Sequence, residues 1–240
     1  MAKITDSRHR EIGKAVSKYE GMRTDFDHLG DTLNRLLVRD ERLKKYIHSS
    51  KYRTKIPKNL REKIERKTIE RLKLVKIERP PLITAKNLLE QVEDLVGIRL
   101  LHLHTQQMSN IHPAIIEILN GNNYQIIDDP VVYIWDTENR DFFKSIGIEP
   151  KERKDKEMYT SVHYVVSSSQ RPDIRMEIQV RTLMEEVWGE VSHTVNYPKK
   201  TEILACREQL KALARFTSGC SRLVDSIFAT KSEAEDKNNT

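Results

Sequence analysis

A chain of 240 residues is long enough to bury a core in one large domain or two small ones, and 32% charged against 38% hydrophobic residues is too apolar for wholesale disorder. No apolar run approaches the roughly 18 residues a bilayer requires, and the opening MAKITDSRHR lacks a signal-peptide stretch, so no membrane segment and a cytoplasmic location are expected. The net charge of +6 is confined, because residues 41–80 hold 15 Lys and Arg against 5 Glu, which points to a polyanion partner, either nucleotide phosphates or nucleic acid.

From the amino terminus, Leu29, Leu33, Leu36 and Leu37 recur at helical spacing amid charge, so residues 6–47 read as one or two amphipathic helices. Pro57 suits a first helical turn and opens PKNLREKIERKTIERLKLV as a strongly basic helix, which Pro80-Pro81 ends. Thr84 can cap a short helix through Leu95, followed by an apolar strand, VGIRLLHL, then a helix through Ile118 with a stop at Gly121. Strand signals return at YQIIDDPVVYIW, while residues 136–156, polar and broken by Gly147 and Pro150, read as a long loop. TSVHYVV and RMEIQVR, joined by SSSQRPD, form a plausible hairpin. LMEEVWGEVSHTV and a final helix over about 201–229 follow, with a tail, SEAEDKNNT, that should fray. Cys206 and Cys220 stand outside any CxxC pair and read as packing thiols. Strands bracketed and interrupted by helices argue for a mixed sheet covered by helices.

The chemistry is concentrated on one strand face. In MEIQVRT, Met176, Ile178 and Val180 alternate with Glu177, Gln179 and Arg181, so a carboxylate, an amide and a guanidinium share a side. In the preceding strand Ser161 and His163 share a face, which Tyr159 joins if the strand begins there. A solvated sheet face is the bland reading of such a pattern. A second carboxylate, Asp94, precedes VGIRLL, which carries Arg99. Two carboxylates meeting across a sheet beside a basic helix suit a metal-bound nucleoside triphosphate, since Mg²⁺ commonly takes one or two carboxylates plus phosphate oxygens. His102 with His104, and Glu190 with His193, read as packing or surface pairs rather than metal sites, and Leu210, Leu213 and Phe216 as core or subunit-contact residues.

DLVGIR (94–99), YTSVH (159–163) and EIQVRT (177–182) together resemble the synthetase domain of RelA/SpoT-type proteins, which make the alarmones ppGpp and pppGpp. YRTKIPKNLREKIERK is similar to that family's basic ATP segment. The resemblance covers about 51–198 and implies a nucleotidyltransferase-like α+β fold, a mixed five-stranded sheet flanked by helices. Residues 1–47 would be an N-terminal helical extension, 48–200 the synthetase domain, and 201–240 a C-terminal helix and tail. The implied activity moves the β,γ-pyrophosphate of ATP to the 3′-hydroxyl of GDP or GTP. Asp94 and Glu177 would hold Mg²⁺, with Glu177 also the candidate base; Arg53 and Arg99 would sandwich adenine; Lys55, Lys63 and Arg66 would neutralise phosphates. Tyr159 would stack the acceptor base, with His163 and Gln179 as neighbours.

The chain also departs from the family pattern. A Lys and a Gly commonly precede the stacking Tyr, whereas here Lys156 would substitute for the lysine and Met158 replaces the glycine. Residues 67–93 are more than the family usually needs, and without a His-Asp dipeptide the family's hydrolase half is expected to be absent, leaving a small synthesis-only enzyme. Two other functions compete: a toxic relative that pyrophosphorylates the 3′ end of tRNA, and an inactive RNA-binding module, which would have predicted erosion of Asp94 or Glu177. Helix-mediated self-association, known in short members, makes a homo-oligomer plausible.

Overall fold

The computed structural model describes residues 4–152, 158–196 and 200–238. Its strands are β1 (Ile47–Thr54), β2 (Val96–His102), β3 (Tyr124–Tyr133), β4 (Glu149–Lys151), β5 (Ser161–Ser168) and β6 (Arg171–Thr182). They form one sheet in the order β1-β2-β6-β5-β3-β4, mixed because β2 with β6 and β3 with β4 run parallel while the other neighbours are antiparallel. The helices are α1 (Asp6–Gly21), α2 (Arg23–Arg39), α3 (Glu41–Lys44), α4 (Pro57–Leu72), α5 (Leu88–Gln91), α6 (Met108–Gly121), α7 (Arg140–Ser145), α8 (Leu183–Asn196) and α9 (Leu204–Asn238).

Period-two alternation gives the sheet two unlike faces. On one, Ile98, Leu100, Tyr164, Met176, Ile178 and Val180 are buried in a cluster shared with Ile12 and Tyr19 of α1, Phe26, Leu33 and Leu37 of α2, and Ile111, Ile115 and Ile118 of α6. Each such side chain, fully buried, contributes roughly 1.5–3 kcal/mol. The amino-terminal helices therefore share the core of the sheet. Gly30 lets α2 approach it: a Cβ there would lie 2.8 Å from Tyr52 Cδ2 and 3.0 Å from Val96 Cγ1. The opposite face is polar and carries the charged rows described below.

Several elements differ from the sequence reading. The sheet has six strands rather than five. β1 lies at an edge with an irregular burial pattern, so its charged residues give no clean alternation. The expected long loop at 136–156 contains α7 and β4, anchored by buried Phe143 and Ile148. The helix expected from Thr84 to Leu95 is reduced to the single turn of α5, because the Thr84 N–H donates to Asn87 Oδ1 at 2.7 Å and the chain turns before Asn87. The final helix runs on to Asn238 where fraying was expected; SEAEDK is rich in helix formers and Lys231 lies 3.6 Å from Glu235 one turn on.

Candidate active site

Register builds the site on the polar face. Arg53, Gly97 and Glu177 lie side by side across β1, β2 and β6, and the next row places Lys51, Arg99, Gln179 and His163 across β1, β2, β6 and β5. Asp94 sits just before β2, and α4 begins just after β1, so Lys55 and Lys63 reach the same corner.

Both oxygens of Asp94 are occupied: Lys55 Nζ donates to Oδ2 and Lys63 Nζ to Oδ1, each at 2.6 Å. Burial opposes ionisation of Asp94, but the two ammoniums outweigh it and hold the carboxyl well below the ordinary carboxylate range. The Lys55 pKa is lowered too, which for an amine disfavours the charged form: burial and Lys63 outweigh the pull of Asp94. The imbalance has a simple origin, since two cations share one anion and the carboxylate gains more than either lysine.

Glu177 is the second carboxylate. His163 Nδ1 donates to its Oε1 at 2.8 Å and Gln179 Nε2 to its Oε2 at 2.6 Å. Burial raises its pKa, but His163 and Gln179 overcome that and the opposing charge of Asp94, leaving it at about 2. Glu177 is thus ionised at neutral pH, and His163 carries its proton on Nδ1. The other ring nitrogen, Nε2, lies 2.9 Å from the Tyr159 hydroxyl, giving a continuous chain from Glu177 through His163 to Tyr159. His163 and Gln179, expected as acceptor neighbours, are here the two partners that orient Glu177.

Tyr159 is 5% exposed and packs with Trp188 and Ala214, with the Arg181 guanidinium 5.7 Å from its ring centroid. A base could stack on it only if Arg181 or the α8 and α9 side chains gave way. Lys156 lies outside the described residues. Met158 adopts φ 59, the left-handed conformation that a glycine would take without strain.

Arg53 is exposed beside Gly97, where a Cβ would meet nothing within 4 Å. Arg99, expected opposite Arg53, is held from behind: its Nη1 donates to Glu186 Oε1 at 2.6 Å and to Glu190 Oε1 at 2.5 Å. Lys51 Nζ adds 3.0 Å to Glu186, and Arg181 Nε lies 3.1 Å from Glu186 Oε2 without hydrogen-bond alignment. Glu190 is therefore part of this network as well as of the α8 surface. The sequence reading missed Glu186 and Lys51; their signal was the Glu186–Glu190 spacing of one helical turn, opposite an arginine row. Arg66, expected on the phosphates, is exposed on α4 and pairs with Glu70 at 3.0 Å. Farther off, His102 is buried and His104 Nδ1 lies 3.0 Å from Asp225 Oδ1, tying the end of β2 to α9.

The region found in RelA / SpoT proteins is matched by residues 52–202. No curated protein matches the chain. Among solved structures, a GTP pyrophosphokinase family protein from Streptococcus pneumoniae aligns over 96% of this chain and 97% of its own at 17% identity, with a TM-score of 0.56. Small alarmone synthetase 1 from Bacillus subtilis, bound to its product pppGpp, aligns over 88% and 93% at 21% identity and a TM-score of 0.54. The same synthetase bound to AMPCPP aligns over 91% and 99% at 15% identity, again with a TM-score of 0.54. At such identities the likeness is one of fold.

Proposed function

The chain belongs to the RelA/SpoT family, and from that membership we propose that it is a (p)ppGpp synthetase, transferring the β,γ-pyrophosphate of ATP to the 3′-hydroxyl of GDP or GTP. The observation that carries this reading is the pair of neighbouring carboxylates, Asp94 just before β2, bonded by Lys55 and Lys63, and Glu177 on β6, close enough to feel the charge of Asp94. The relatives of like fold bound to pppGpp and to AMPCPP support nucleotides as the substrates.

In this reading Lys55 and Lys63 exchange Asp94 for the donor phosphates, releasing its oxygens, and Arg53 flanks the open space over Gly97, which suits a planar base. Arg99 meets that base with its orientation fixed by Glu186 and Glu190. Glu177, ionised and aimed by His163 and Gln179, accepts the proton of the attacking hydroxyl. Two carboxylates offering hard oxygens fit Mg²⁺ completed by phosphate oxygens and water; among the described residues no three His, Cys, Asp or Glu side chains cluster to hold a metal without substrate. Asp94 and Glu177 would hold the ion, which supplies charge neutralisation on the triphosphate.

The tRNA-modifying alternative draws no support from the comparisons, and Lys55, Lys63 and Arg66 of the basic segment are paired with acidic side chains rather than offered as a free stripe. Among the described residues no helix is long and apolar enough to cross a membrane, which agrees with the cytoplasmic location we propose. Self-association is supported by α9, whose Phe216, Leu223 and Ile227 stand 73%, 62% and 56% exposed along one side of the helix. Incubation with γ-labelled ATP and, separately, GDP, GTP, ATP and deacylated tRNA tests the assignment. Label on a guanine nucleotide is expected; label on tRNA alone would refute it.

A further inference from the structure

The segment joining α4 to α5 takes no part in the site described above. Its sequence, LKLVKIERPP over 72–81, continues the charge of α4, and residues 66–79 hold six Lys and Arg against two Glu. Its apolar side chains nevertheless stand in water: Leu74 is 44%, Val75 66% and Ile77 93% exposed. Aliphatic residues exposed singly are ordinary, but three within four residues of one turn make a contiguous patch of the kind that marks a contact surface. The turn is held in that shape. The Leu74 N–H donates to the Arg71 carbonyl at 3.1 Å and the Glu78 N–H to the Val75 carbonyl at 3.0 Å. Arg79 Nη2 donates to the carbonyls of Leu72 at 3.2 Å and Leu74 at 3.1 Å, while Arg71 reaches the Pro81 carbonyl and Gln91. Two arginines thus clamp the backbone. Lys73 and Lys76 stay exposed beside the apolar tip, without an ion pair among the described residues.

We propose that this turn docks on the surface of an anionic lipid bilayer, with Leu74, Val75 and Ile77 entering the head-group boundary and Lys73 and Lys76 meeting the lipid phosphates. Aliphatic side chains gain by leaving water there, and each neighbouring cation adds attraction to an anionic leaflet. Single-stranded nucleic acid, another polyanion, is held by stacking on aromatic rings as well as by charge, and residues 66–82 contain no aromatic side chain. A second copy of the chain is opposed by the same charge, since a two-fold contact would bring together two segments that each carry a net +4, six cations less two anions. The inference does not depend on the reaction proposed above.

Sedimentation of the full chain with vesicles tests it, at about 1 mM lipid, above the level at which a single acyl chain binds. Vesicles of phosphatidylcholine with about one third phosphatidylglycerol should carry the protein down, and phosphatidylcholine alone should carry at least about fivefold less. Val75→Ser combined with Ile77→Ser should lower the partition at least about tenfold, and Lys73→Gln combined with Lys76→Gln at least about fivefold. Both pairs should keep the thermal midpoint of the parent, because the replaced side chains are exposed. No partition into the anionic vesicles, equal partition into both kinds, or a partition that the serine pair leaves unchanged would each overturn the inference. Single-stranded RNA retained by the serine pair and released by the glutamine pair, with no vesicle binding, would give the turn to nucleic acid instead.

Discussion

Asp94→Asn should make the free protein weaker and its grip on metal-free ATP stronger. The side chain keeps its shape but loses the charge that two lysines share, and the three groups are 26%, 13% and 21% exposed. Removing one partner from a fully buried pair costs about 3–5 kcal/mol and from a surface pair about 0–1, so a partly buried trio should lose about 2–3 kcal/mol. In a chain of this size that lowers the thermal midpoint by roughly 5–10 °C. Asp94 also repels phosphate and competes for the lysines, so with EDTA present ATP should raise the midpoint of the variant by more than that of the parent. A tenfold gain in affinity adds about 1.4 kcal/mol, or roughly 3–5 °C. Turnover with Mg²⁺ should nevertheless fall by at least about a thousandfold, roughly 4 kcal/mol. The folded pKa of Asp94 lies below its unfolded value, so its stabilisation is complete above about pH 4 and fades as pH falls further. The gap between parent and variant should narrow accordingly in acid. Equal midpoints at neutral pH, or an ATP shift no larger in the variant, would refute the exchange of Asp94 for phosphate.

Glu177→Gln should leave circular dichroism and cooperative unfolding intact while transfer falls at least about a thousandfold; retention within about tenfold would remove Glu177 from the chemistry. Gly97→Val places a strand-favouring side chain where nothing lies within 4 Å, so the fold should tolerate it, yet the ATP KM should rise at least about tenfold because the new methyls occupy the space beside Arg53 and Glu177. Unaltered ATP use would move the nucleotide off this row. Gly30→Ala should do the reverse, lowering the midpoint through a contact of 2.8 Å with the Tyr52 ring and costing about 1–3 kcal/mol; an unchanged midpoint in thermal unfolding would contradict the close approach of α2.

What the sequence revealed followed periodicity. Alternation in MEIQVRT put Glu177, Gln179 and Arg181 on one face, and register then set them beside Gly97, Arg99 and His163 as a mixed sheet requires. Proline at 57 and the basic helix it opens were equally visible. Harder to read was anything decided by partners distant in the chain. β1 is an edge strand whose charges obey no apolar pattern. Arg66 reads in the sequence as a companion of Lys63, and only the fold, with Leu60, Ile64 and Thr68 turned into the core, shows it exposed and paired with Glu70. Tyr159 is likewise an aromatic residue before a strand in the sequence, and only α8 and α9, folding back over it, enclose its ring.

The two halves of the site are joined through β6 and the helix that follows it. Thr182 and Glu185 form a reciprocal cap, the Thr182 N–H donating to Glu185 Oε2 at 2.7 Å and the Glu185 N–H to Thr182 Oγ1 at 3.2 Å, so α8 starts without a linker where the strand ends. That fixes Glu186 and Glu190 relative to Glu177. Along the polar face Gln179 binds Glu177, Arg181 Nη2 donates to Gln179 Oε1 at 3.0 Å, Arg181 pairs with Glu186, and Glu186 holds Arg99. The carboxylate proposed to take the acceptor's proton and the guanidinium proposed to meet the donor base are thus the two ends of one chain of polar contacts. Any displacement of Glu186 would reach, through Arg181 and Gln179, the side chain that aims Glu177. Arg181 also lies against the ring of Tyr159. Its movement would therefore alter the support of Glu177 and uncover the Tyr159 ring together, so the proposed acceptor side and the proposed donor side share one arginine.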